Sequence, residues 1–205
     1  MANTNNDFLY GEKTVVQNGR ASFCHVFKPA KDRQGKLKYF TTLIFPKSGN
    51  HLAKLKVEIA NVINEKFPQG VPAIFDLPIK DGDLPNGAGK VYEENKGSWI
   101  IKVKVGENSK PGLLDMNKQD VISNDVIYSG CYLHVSTTPF YYPSINGGKP
   151  GIGLVLNNVM KAADGEKLSG GGDANSDFDA IKPAEYSGES ELWEEENDKV
   201  KALLG

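Results

Sequence analysis

The sequence predicts a mainly β protein: a small antiparallel barrel of five or six strands with one main α-helix, long loops and a disordered acidic C-terminal tail. Three observations lead there. Short runs rich in β-branched and aromatic residues, with period-two alternation, recur between turn-rich stretches. One stretch, 50–67, has a clear helical period instead. No alternating series of strands and helices is present, which disfavours a doubly wound parallel sheet.

Taken in order, residues 1–17 are polar and read as a flexible lead-in. "RASFCHVFK" (20–28) reads as a strand, "KDRQGKL" as a polar hairpin loop, and "KYFTTLIFPK" (38–47) as a second strand that Pro46 ends. Over 50–67, Leu52, Leu55, Ile59, Val62 and Ile63 recur at helical spacing opposite Lys54, Glu58, Asn61 and Glu65. Ser48 or Asn50 is placed to cap the start, and Pro68 follows the end. The stripe is assigned to the core. Residues 70–97 are dense in Gly, Pro and Asp and form a long connection with room for one short strand. "SWIIKVKV" (98–105) is a strand with Trp99, Ile101, Val103 and Val105 on one face and Ile100, Lys102 and Lys104 on the other. "NSKPGLLDMNKQ" reads as a loop. The stretch 125–143 reads as one long strand or a bent pair, and "GIGLVLNNVMKA" (151–162) as the last strand. The barrel domain is therefore placed at 18–163 and the tail at 164–205.

The net charge of −2 hides an asymmetry. Residues 164–205 hold 12 acidic and 4 basic residues, and residues 1–163 hold 14 and 20. A body of +6 suits a polyanion, and a tail of −8 suits competition for that surface or a basic partner. No stretch approaches the roughly 20 apolar residues of a membrane span, and the N-terminus lacks the layout of a secretory signal. Two cysteines in 205 residues do not make a disulfide framework. A cytoplasmic setting and no membrane partner are expected.

Catalysis fits poorly. Cys24-His25 and Cys131-x-x-His134 have zinc-ligand composition, but strand neighbours, and strand residues three apart, point to opposite faces. One member of each pair thus faces away from any shared site. The glycine runs "GGKPGIG" and "LSGGGD" do not fit a phosphate loop. No enzyme, cofactor or metal site is expected.

Binding fits better. On the long strand Cys131, Leu133 and Val135 form the apolar face. Tyr132, His134 and Ser136 face outward, joined in the same register by Phe140 and Tyr142, unless a bulge at Pro139 swaps them for Tyr141. Lys102 and Lys104 project from the neighbouring strand, Tyr39 or Phe40 from "KYFTTLIFPK" with Lys38 and Lys47 at its ends, and Lys149 from the loop "INGGKPG". Trp99 joins the pool of rings, although it shares a face with core residues. Rings among ammonium groups suit unpaired nucleic acid: each base stacked on an aromatic contributes about 1–3 kcal/mol whatever the base, and lysines follow the phosphates. Duplex DNA hides its base faces, so such a platform selects single strands. A protein-interaction or structural component without DNA affinity is the alternative reading.

The chain resembles a family of phage single-stranded-DNA-binding proteins with an OB fold. The matching pieces are "SFCHVFKP", "KYFTTLIFPK" with the helix after it, "YSGCYLHVSTTPFYYPSINGGKPGIGLVLNNVMKAADGEKLSGG" and "SDFDA", together spanning about 18–180. The resemblance implies an OB barrel, sequence-tolerant binding of single-stranded DNA, and a role in phage replication or recombination inside the host cell. Replicative relatives often close on an acidic tail with a terminal aromatic. Here "SELWEEENDKV" holds Trp193 internally, with Glu194, Glu195 and Glu196 after it, and "KALLG" follows. That pattern offers replication or recombination proteins either an acidic segment or a short helix anchored by Trp193. Oligomeric state, a homodimer included, is left open.

Overall fold

The computed structural model describes residues 8–168, apart from 33, 124 and 145–147. Five strands close a barrel. β2 (Thr14–Lys31) pairs with β3 (Leu37–Pro46), and β3 pairs with β5 (Ser98–Gly106). β5 meets β8 (Gly151–Ala163) in parallel, β8 pairs with β7 (Tyr132–Tyr142), and β7 returns to β2. The parallel seam is the one departure from antiparallel pairing within the barrel. Three short strands attach outside it: β1 (Leu9–Tyr10) on β7, β4 (Ile79–Asp81) on β5, and β6 (Gly112–Leu114) on β8.

Alternation explains the interior. Leu43 and Phe45 of β3, Ile101 and Val103 of β5, Leu133 and Val135 of β7, and Leu154 and Leu156 of β8 are all buried in one cluster. On β7 the alternation runs unbroken to Tyr142, so Pro139 does not swap the faces. Two irregularities fall on β8: Tyr132 pairs with Ala163 but Leu133 with Lys161, and Ser136 pairs with Asn158 but Thr137 with Leu156, leaving Ala162 and Asn157 as extra residues. The 18-residue β2 wraps the barrel by bending at three register shifts, and Asn18 and Phe23 take left-handed backbone conformations there.

The helix α1 (Ala53–Lys66) buries Leu55, Ile59 and Val62 against the barrel, as its stripe requires. No side chain caps its start; the carbonyl of Asn50 accepts instead from the amide of Ala53 at 3.1 Å. Neither expected cap, Ser48 nor Asn50, acts through its side chain.

Several boundaries differ from expectation. β2 begins at Thr14 and β1 lies at Leu9–Tyr10, inside the stretch expected as lead-in. β6 lies in a segment read as loop, because three residues on a sheet edge leave no periodic signature. The long strand begins at Tyr132; residues 125–131 are turns. Residues 164–168, assigned to the tail, are tied to the barrel. Tyr128 Oη donates to Asp164 at 2.8 Å, Arg20 to the Glu166 carbonyl at 3.2 Å, and the Leu168 amide to the Ser129 carbonyl at 2.9 Å. Trp193, Glu194, Glu195 and Glu196 lie outside the described residues. Among the described residues no helix is long and apolar enough to cross a membrane.

Candidate nucleic-acid interface

One open groove of about 730 Å³ crosses the outer face of β3, β5, β8 and β7. Its floor comes from alternate residues on adjacent strands. β3 supplies Lys38, Phe40 and Thr42; β5 supplies Ile100, Lys102 and Lys104; β8 supplies Gly153; β7 supplies Phe140 and Tyr142. The register aligns them, with Phe40 opposite Lys104, Thr42 opposite Lys102, and Phe140 opposite Gly153. The connection between α1 and β5 forms one wall with Asp76, Lys80, Asn86, Tyr92 and Asn95. Phe23 closes the far rim. Its left-handed backbone at φ 50° coincides with a β2 register shift, and its ring meets Tyr92 edge-on at 5.5 Å.

Two aromatic stations thus stand at opposite ends with cations between. At the first, Phe23 and Tyr92 form an edge pair, with Lys90 4.7 Å over Tyr92. At the second, Phe140 lies 6.2 Å from Tyr142 and its ring covers Gly153. A Cβ at Gly153 would sit 2.5 Å from that ring, so the flat seat of Phe140 depends on the glycine. Between the stations Lys102 lies 4.2 Å over the ring of Phe40. His25 packs on the same ring at 4.7 Å, and burial, then Lys102, lowers its pKa, favouring the neutral imidazole.

Electrostatics hold these parts in place. Asp76 pins Lys80 by an ion pair and accepts from Tyr142 Oη at 3.0 Å. Burial, then Asp76, pushes the Tyr142 phenol up to about 12, so it stays neutral. Lys38 pairs with Asp32 at 3.0 Å, and that hydrogen bond, chief among several, holds the Asp32 carboxyl at about 2. Burial in the groove, and next the nearby Lys38, lowers the Lys104 pKa. Bringing a phosphate there relieves the crowding of like charges.

The groove gathers Lys38, Lys102, Lys104, Phe140 and Tyr142 of the residues singled out from sequence. The others lie elsewhere. Tyr39 is buried in the core cluster, and its neighbour Phe40 takes the groove position. Tyr141 is also buried, edge-on to Phe67 at 5.3 Å and under Lys66. Lys47 bridges Asp81 and Asp83 at 2.5 and 2.7 Å. It also lies 5.1 Å over Trp99, which faces α1 and Lys56. Tyr132 is at the far end of β7 beside Gly165, and His134 accepts from the Asn18 amide at 3.3 Å. Lys149 is exposed on the β7–β8 loop and outside the groove lining. Of the two rings weighed on that strand, Phe40 is the one in the groove; Phe23, Lys80 and Tyr92 were not foreseen. Parity alone carried a signal for Phe40, since it shares a face with Lys38; Phe23 and Tyr92 carried none.

A family model described as "Enterobacter phage Enc34, ssDNA-binding protein" matches residues 12–190. The single-stranded DNA-binding protein from bacteriophage Enc34 matches with a TM-score of 0.59 at 28% identity, over 80% of this chain and 88% of that one. Its complex with ssDNA matches with a TM-score of 0.59 at 28% identity, over 77% and 89%. The gp2.5 single-stranded DNA binding protein of bacteriophage T7 shares the fold, with a TM-score of 0.53 at 18% identity over 87% of this chain and 100% of that one. No curated protein sequence matches. The chain belongs to the Enterobacter phage Enc34 ssDNA-binding protein family.

Proposed function

We propose that this protein is a non-enzymatic, sequence-tolerant binder of single-stranded DNA that protects and organises exposed strands during phage replication or recombination, and that the groove across β3, β5, β8 and β7 holds the strand. The observation that carries the siting is the placement of aromatic stations and lysines in one open groove. Rings accept any base, and lysines accept any phosphate.

Fluorescence anisotropy with oligo-dT and with a duplex of equal length, at two salt concentrations, tests this. Oligo-dT is expected to bind more tightly. If Lys38, Lys80, Lys102 and Lys104 each neutralise one phosphate, the log–log salt slope is roughly −3, at about −0.7 per phosphate. Equal affinity for duplex with a flat salt response would favour the protein-interaction reading instead.

The acidic segment is assigned a modulating role, with replication or recombination proteins as its partner class. Residues 164–205 carry −8 on a chain whose remainder carries +6, which weakens the field that steers DNA to the body. Deleting residues from Asp173 onward is expected to tighten oligo-dT binding most at low salt, where charge is least screened. Identical affinities for full-length and truncated protein at both salts would remove that role.

A further inference from the structure

We propose that Tyr10, with Phe8 beside it, forms an outer stacking station that carries the DNA track beyond the barrel groove; this rests on the groove reading above. The track crosses β3, β5, β8 and β7, and β1 is the next strand along that path. Register decides which residue of β1 faces it. Leu9 lies opposite Tyr141 and packs toward the core; Tyr10 lies opposite Phe140 and shares its outward face. The Tyr10 ring stacks on Phe140 at 5.5 Å and 20°, and Phe8 approaches the same ring at 6.4 Å.

Phe140 already covers Gly153 on one side. A base arriving at this end therefore meets Tyr10, which is 60% exposed, while Phe8 is 45% exposed. Exposure alone is ordinary for a surface ring, but this ring is aligned with a groove ring and its backbone is held. Leu9 packs on the core, and the Gly11 amide donates to the Pro139 carbonyl at 2.9 Å. One added strand widens the sheet by about 5 Å, enough for about one more stacked base.

The test uses the full chain and an oligo-dT series of about 4 to 16 nucleotides. Tyr10→Ala is expected to leave the shortest oligonucleotides that bind unaffected. It should weaken the longer ones about fivefold or more, as loss of one stacked base does, and Tyr10→Phe should restore them. Equal weakening at every length would overturn the proposal, since Tyr10 would then only hold Phe140 in place. No weakening at any length would overturn it too. Phe140→Ala separates this from failure of the groove reading: if it also leaves every affinity unchanged, the groove itself is wrong; if it weakens all lengths while Tyr10→Ala weakens none, only the outer station falls. Equal melting temperatures would confirm that Tyr10→Ala folds.

Discussion

Leu133→Ala is expected to lower the unfolding free energy by about 2–5 kcal/mol, the range for emptying a buried leucine site. Leu133 is fully buried and sits where the barrel closes, paired with Gly19 of β2 on one side and Lys161 of β8 on the other. Both neighbours belong to long strands held along their length, so the cavity collapses poorly and the cost lies toward the upper part of the range. Urea melts of the two proteins measure it as a shift in midpoint at constant slope. The oligo-dT affinity of the folded fraction should be unchanged, because the side chain points away from the groove. A loss below about 1 kcal/mol would contradict a tightly packed interior at this seam.

Phe140→Ala should show the opposite pattern: a large loss of single-strand affinity with a smaller loss of stability. Tyr10, Phe8 and Tyr142 all lean on this ring. Removing it takes away the ring that seats Tyr10 and supports Phe8 and Tyr142, and with it the stacking at this end of the groove. At about 1–3 kcal/mol per stacked base, the expected weakening is roughly 5- to 150-fold. Tyr132→Ala is the matched control. Tyr132 lies on the same strand and face but at the end away from the groove, beside Gly165. Anisotropy and thermal melts on the three proteins decide the matter. If Tyr132→Ala weakens binding more than Phe140→Ala does, the strand runs along β7 rather than across the sheet.

Periodicity made most of the barrel legible. β3, β5 and β8 are long, alternating and bounded by turn residues, and the helix has a complete apolar stripe. Parity gave the faces of β7 up to Pro139, and the unbroken alternation through Tyr142 extends them to the end of the strand. What periodicity could not supply was contact between distant segments. The β1 strand has two residues, too few to alternate, and exists because Leu9 and Tyr10 find the free edge of β7. Tyr92 enters the groove on an irregular connection, and Phe23 enters through a left-handed residue within β2. Composition left Tyr39 and Phe40 as alternatives; counting in steps of two from Lys38 points to Phe40, and Tyr39 goes to the core. Trp99 and Tyr141 show the limit of composition as evidence: both are aromatic beside lysines, and both serve packing.

The seam between β2 and β7 joins residues far apart in sequence; Asn18 and His134, for example, are 116 positions apart along the chain. A ribosome adding about 5–20 residues per second needs roughly 6 to 23 s to deliver the second after the first. For most of that interval β2 and β3 have been made as a hairpin whose outer edge lacks its partner, and α1 has no complete barrel to cover. Such an edge invites pairing with another nascent chain. The partner arrives with β7, and β7 pairs with β8 only after that, so closure is among the last events of synthesis. A fold whose first long strand waits for its penultimate one is slow by topology. Its yield in the cell should therefore respond to chaperones that shield nascent strands more than to changes in the groove.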